Sequence, residues 1–213
     1  MQLSFKNNAS EEENLSNEIS FKKLNKEQQD IILMYINARQ FKNAILIDEM
    51  VIVPSKRNGL SENSKIIANN GQLTITARGD KFISKSFPFI VNKAFACEVY
   101  LKLILIMKNI NWDDLKKNKK GHDLFALYKK TPQELKKEVL FFFQDKQKIN
   151  NQELENKVKN ISNAFIDWRY SYENYETKST DFVFLDNFCD YLDKHVIELI
   201  NKMYNYNVSI DIR

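Results

Sequence analysis

A mainly helical fold, an up-and-down bundle preceded by an N-terminal helix and a small hairpin or irregular insert, is what this sequence predicts, on three observations. The 213 residues hold only 4 Gly and 3 Pro, too few for the turns of a sandwich, barrel or doubly wound sheet. Hydrophobic residues make up 43% of the chain and aromatics 12%, which is enough for a packed core. Apolar residues recur at helical spacing in segment after segment.

Residues 1–86 read as an extension and 87–213 as the bundle. The first 24 residues are a polar lead-in, with Glu11, Glu12 and Glu13 in sequence and no apolar period, and are expected to be loosely held. From Lys26 to Ile45, residues Ile31, Met34, Tyr35, Ala38, Phe41 and Ile45 form an amphipathic stripe with Asn25 as its cap, so a helix is predicted over 26–45. Residues 46–86 change period. Lys65–Ala68 and Gln72–Thr76 flank Asn70-Gly71, a pair that favours a hairpin turn, so this stretch is predicted to be a hairpin or an irregular loop.

From Phe87 to Lys108 nearly every helical face is apolar, which places a helix over 88–109 at the centre of the bundle. A basic loop follows, with Lys116, Lys117, Lys119 and Lys120, and a short helix begins near His122 or Asp123. Thr131-Pro132-Gln133-Glu134 reads as a capping box that starts a helix over 132–145. Leu154, Val158, Ile161, Phe165, Trp168 and Tyr172 predict a helix over 152–175, and Thr180 or Asp181 caps a last one over 181–204.

Several function classes drop out. Cys97 and Cys189 are the only cysteines, far apart and each in an apolar helical pattern, which suggests no disulfide framework, no zinc knuckle and a reducing compartment. Met1 to Ser20 lacks the basic-then-apolar order of a secretion signal, so a cytoplasmic location is expected. Lys93, Glu98, Lys102 and Lys108 interrupt the most apolar stretch, which argues against a membrane span. With 32 basic and 28 acidic residues closely interleaved, the net charge of +4 reads as a solvated surface. The histidines and cysteines have no metal-ligand spacing, and neither a metal nor another cofactor is expected.

Polar residues inside the helical pattern carry the functional reading. Glu98 shares a stripe with Ala94, Leu101 and Leu105, so a carboxylate sits on an apolar face and needs a partner. Lys102, one turn on, is one candidate. Arg169 is the other, and is preferred because a planar guanidinium binds a carboxylate with two bonds; its own neighbour at one turn is Glu173. Such a network also fits a purely structural ion pair. His122 and Asp123 stand at a helix start, where they either cap it or offer an imidazole for proton transfer beside a carboxylate. His195, on the edge of an apolar stripe, reads as packing.

Three ordered segments, Ala94-Phe95-Ala96-Cys97-Glu98-Val99-Tyr100-Leu101-Lys102, Gly121-His122-Asp123-Leu124 with Leu127-Tyr128, and Phe165-Ile166-Asp167-Trp168-Arg169-Tyr170 with Glu173, resemble the HEPN superfamily over residues 87–205. The resemblance implies a bundle of four or five helices that often forms a homodimer, in a family of RNA-cleaving toxins, antiviral effectors and catalytically silent partners. The chain departs from the family's Arg-x4–6-His signature: the matching positions after Arg169 are Asn174, Tyr175 and Glu176.

Two functions are therefore expected. One is a metal-independent ribonuclease of RNA-processing or defence type, with Arg169 on phosphate, His122 moving protons, Glu98 orienting, and Lys102, Asp123, Tyr172 and Glu173 as binding residues. The other is a non-catalytic helical module that dimerises and binds a protein or nucleotide-containing partner.

Overall fold

The computed structural model describes residues 2–7, 24–44, 52–53, 65–69, 72–76, 83–84, 86–111, 115, 122–169, 178–204 and 206–211. The chain is a mainly helical bundle. Helix α1 (Lys26–Asn43) starts at Asn25, whose side chain accepts from Gln28 N at 2.9 Å while the Gln28 side chain accepts from Asn25 N, a reciprocal cap that satisfies two backbone donors at the helix start. It buries Ile31, Ile32, Tyr35, Ile36 and Ala38, whereas Phe41 at its far end is 41% exposed.

Helix α2 (Ser86–Met107) is the central element, packed against α1, α3 (Leu124–Lys130), α6 (Ala164–Arg169) and α7 (Phe182–Tyr204). It buries Phe89, Ile90, Ala94, Ala96, Cys97, Tyr100, Leu101, Leu103, Ile104 and Leu105. Such burial on many faces is what its nearly continuous apolar sequence requires. The helix ends where Asn109 takes φ 62°, a left-handed conformation that Asn tolerates, and the Ile110 N–H returns to Leu105 O at 3.0 Å.

Two expected boundaries are corrected. Thr131 does not open helix α4 (Gln133–Gln147) as a capping box: its hydroxyl donates back to Tyr128 O at 2.7 Å and closes α3, and Pro132 precedes α4 with no side-chain cap. The helix predicted over 152–175 is broken into α5 (Asn151–Asn160) and α6 by a turn at residues 161–163, and 170–175 lie outside the described residues. The break has a physical cause. Ser162 turns both its carbonyl and its hydroxyl onto the start of α3, accepting from Leu124 N at 3.0 Å and Phe125 N at 3.2 Å. For α7 the expected cap is found, since Asp181 Oδ1 accepts from Phe184 N at 2.9 Å.

Strands lie beside this body. β3 (Lys65–Asn69) pairs antiparallel with β4 (Gln72–Thr76), with Asn69 opposite Gln72, the register expected of a hairpin about Asn70-Gly71; those two residues are outside the described set. β4 also pairs with β6 (Lys178–Asp181), and β2 (Ile52–Val53) with β5 (Ile83–Ser84). Within the polar lead-in, Gln2–Asn7 form β1, antiparallel to β7 (Tyr206–Asp211). The alternation of Leu3 and Phe5 is the only sequence sign of that strand. Among the described residues no helix is long and apolar enough to cross a membrane.

Charged side chains fasten the helices. Asp193 on α7 accepts from Tyr100 Oη at 3.0 Å and from Lys42 Nζ at 2.7 Å, and Lys42 also reaches Asp190 at 2.9 Å, so one cluster joins α1, α2 and α7. Lys93, buried on α2, pairs with Asp186. Cys97 and Cys189 are buried and free, and burial, then the neighbouring Cys189, pushes the Cys97 thiol well above its ordinary value.

His195 supplies a pH prediction. Burial, the largest influence, outweighs Glu138 and Glu198 and lowers its imidazole below the ordinary 6.5. A lowered folded-state value means that the unfolded chain binds this proton more readily. Its contribution to stability is therefore complete above 6.5 and lost as pH falls through the folded value. Thermal midpoints measured between about pH 7.5 and 5 should fall on acidification, and His195→Gln should flatten that slope.

Candidate functional site

Glu98 is 2% exposed in the middle of α2, and its two oxygens have separate partners. Lys102 Nζ donates to Oε1 at 2.6 Å, and His122 Nδ1 stands 2.9 Å from Oε2. This corrects the expected pairing with Arg169. Lys102 lies one turn along the same helix and needs no tertiary approach, and His122 arrives from the residue just before the cap of α3. The His122 side chain is 51% exposed, whereas that of Glu98 is 3% exposed, so the pair runs from the core to the surface.

The carboxylate fixes the form of the ring. When the carboxylate is ionised it only accepts hydrogen bonds, so Nδ1 then carries the hydrogen in this contact and Nε2 is the nitrogen turned away from Glu98. Lys102, with its side chain 16% exposed, pairs with the opposite oxygen.

Arg169, at the end of α6, enters the same neighbourhood through an aromatic ring. Its guanidinium carbon is 5.4 Å from the centroid of Phe165, and the His122 ring lies 5.6 Å from the same centroid. Imidazole and guanidinium thus share one phenyl ring as their support. Arg169 itself is exposed. Beyond Phe165 the aromatic row continues to Phe95 on α2 at 5.3 Å and to Phe41 on α1 at 4.7 Å.

Asp123 acts as the cap of α3: its Oδ1 accepts from Ala126 N at 2.8 Å and from the Ser162 hydroxyl. That clamp ties α3 to the α5–α6 turn and fixes the backbone next to His122. Asp123→Ala should cost about 1–2 kcal/mol in denaturant unfolding, through the lost cap and the loss of the Ser162 bond. Tyr172 and Glu173, the remaining expected binding residues, lie outside the described residues.

The structure therefore joins Glu98, Lys102 and His122 directly, with Asp123 beside them and Arg169 near the same Phe165 ring as His122. His195 stands elsewhere, its Nδ1 3.2 Å from Glu138 and its ring stacked on Tyr191. Ser162 and Phe165 as supports were missed from sequence. Phe165 was visible as an apolar helix position and as part of the third quoted segment, with no sign of a supporting role, and Ser162 carries no local signal, because its bonds reach 37 and 39 residues back. Among the described residues no group of three or more His, Cys, Asp or Glu side chains is placed to hold a metal ion. No protein-family model matches the chain, and neither the curated proteins nor the solved structures give a match.

Proposed function

We propose that this chain is a HEPN-like ribonuclease that cleaves RNA by metal-independent attack of a 2′-hydroxyl on the adjacent phosphate. The observation that carries the reading is the half-exposed His122 held on the buried carboxylate of Glu98, beside an exposed arginine on the shared Phe165 ring. His122 Nε2 removes the 2′-hydroxyl proton, and the 2′-oxygen attacks phosphorus. The bond to the 5′-oxygen then breaks, and the proton passes to that leaving group. Arg169 meets the negative charge that develops on the phosphorane oxygens. Glu98 orients the imidazole and stabilises it while it carries the extra proton, as the carboxylate does in other histidine-based sites. Products are a 2′,3′-cyclic phosphate and a 5′-hydroxyl.

His122 here stands in for the histidine that the family signature places after the arginine, reaching the site from α3 instead of from the segment after Arg169. The test is cleavage of a labelled RNA by purified protein in chelator. Activity is expected for wild type and His195→Ala and lost in His122→Ala and Arg169→Ala. Wild type no more active than Arg169→Ala would overturn the reading.

The deep burial of Glu98 favours one second reading, in which the Glu98–His122 link only locks α3 onto α2. The chain would then be a non-catalytic module that binds a protein or nucleotide-containing partner. In that case His122→Ala lowers stability and leaves partner binding intact.

A further inference from the structure

Cys97 on α2 and Cys189 on α7 are the only cysteines of the chain, far apart in sequence, and both are completely buried as free thiols. The contact between the two helices brings them together. One turn before them, Lys93 of α2 meets Asp186 of α7 at 2.5 Å, and one turn after them Tyr100 of α2 donates to Asp193 of α7 at 3.0 Å. Residues three and four apart share a helix face, so Lys93, Cys97 and Tyr100 form one stripe and Asp186, Cys189 and Asp193 another, facing each other rung by rung. The cysteines make the middle rung, where the Cys97 thiol interacts with that of Cys189. Polar bonds on both sides hold that rung in register.

We infer that Cys97 and Cys189 are a modification site, a dithiol that a peroxide closes to one reversible disulfide between α2 and α7. A single buried cysteine reads as a small apolar side chain. This pair differs because the two thiols come from distant segments and meet at one level of one interface, with side chains directed at each other as a disulfide requires. One sulfur attacks a peroxide oxygen, the O–O bond breaks, and the products are a sulfenic acid and water. The second sulfur then attacks the sulfenyl sulfur, the S–S bond forms, the S–O bond breaks and a second water leaves. Each thiol gives up its proton to a departing oxygen, and two electrons pass from the sulfurs to the peroxide. A small dithiol reverses the change by exchange. Hydrogen peroxide is small and uncharged, and reaches the rung through local opening of the bundle. Burial keeps Cys97 a thiol, which makes closure slow, and shields the bond once it is made. The inference stands on the α2–α7 contact and is independent of the chemistry at His122.

The test exposes the reduced full chain, still folded, to hydrogen peroxide until the exposed Met203 is oxidised, then unfolds it in denaturant with N-ethylmaleimide and weighs and maps it. Untreated chain should take up two maleimides. Peroxide-treated chain should take up none, should yield the Cys97 and Cys189 peptides linked within one chain, and should take up two again after dithiothreitol. Cys97→Ala and Cys189→Ala should form no internal link. The linked chain should unfold at a higher denaturant midpoint than the reduced one, because the bond closes a long loop. Two free thiols after Met203 is oxidised would overturn the inference. So would sulfinic or sulfonic acids without a link, a link between two chains, or a linked form no more stable than the reduced one, since the rung would then not be aligned for the bond.

Discussion

His122→Ala is expected to lower RNA cleavage by about 100- to 10,000-fold, the range seen when a positioned acid or base is removed. The loss should appear in the rate at saturating RNA rather than in binding, because the role proposed for the imidazole is to act on the reacting proton. Glu98→Gln should be milder. Its amide still occupies the place beside Nδ1, but it no longer stabilises the imidazolium, and it leaves Lys102 facing a neutral oxygen. Arg169→Lys keeps the charge and loses the planar contact with Phe165, so it should retain part of the activity that Arg169→Ala loses. His195→Ala is the internal control, since that ring belongs with Glu138 and Tyr191.

The second large effect is structural. Asp193→Ala should destabilise the chain by about 3 kcal/mol in denaturant unfolding, the lower end of the range for breaking a buried ion pair. Asp193 is 7% exposed and accepts from Tyr100 Oη, itself fully buried, and from Lys42. Burial alone would lower the Lys42 ammonium. Hydrogen bonds and charge from Asp193, then from Asp190, more than reverse that and raise it above its ordinary value. Removal of Asp193 leaves Lys42 only Asp190, whose side chain is 45% exposed and so offers a partly screened partner. It also strands the Tyr100 hydroxyl in the core. Asp193→Asn, which keeps an acceptor for that hydroxyl, should cost less.

The helical body was legible because its residues report their own environment. The apolar residues on nearly every face of α2 place it at the centre, and the stripe of Ile31, Tyr35 and Ala38 marks the buried face of α1. What the spacing did not carry was long-range pairing. Glu98 was recognisable as a carboxylate needing a partner, yet two cations satisfied the one-dimensional argument and Lys102 proved to be the one in contact. His122, 24 residues away, meets the other oxygen only because Asp123 and Ser162 bring α3 against the α5–α6 turn. The break at residues 161–163 was hidden for the same reason: Ile161, Phe165 and Trp168 keep a helical period through it while the backbone turns to cap a different helix. Thr131 shows the local version. Its hydroxyl had two backbone groups within reach, the N–H ahead and the carbonyl behind, and took the carbonyl.

The central claim is that the Glu98–His122 pair moves the proton of a 2′-hydroxyl. It is tested most directly by comparing one RNA that wild type cleaves with the same strand carrying a single 2′-O-methyl group at the cleaved position, in chelator, and identifying the ends of the product. The account predicts cutting of the unmodified strand to a 2′,3′-cyclic phosphate and a 5′-hydroxyl, and no cutting of the modified one. Cleavage of the 2′-O-methyl strand at that position, or products ending in a 5′-phosphate, would contradict it.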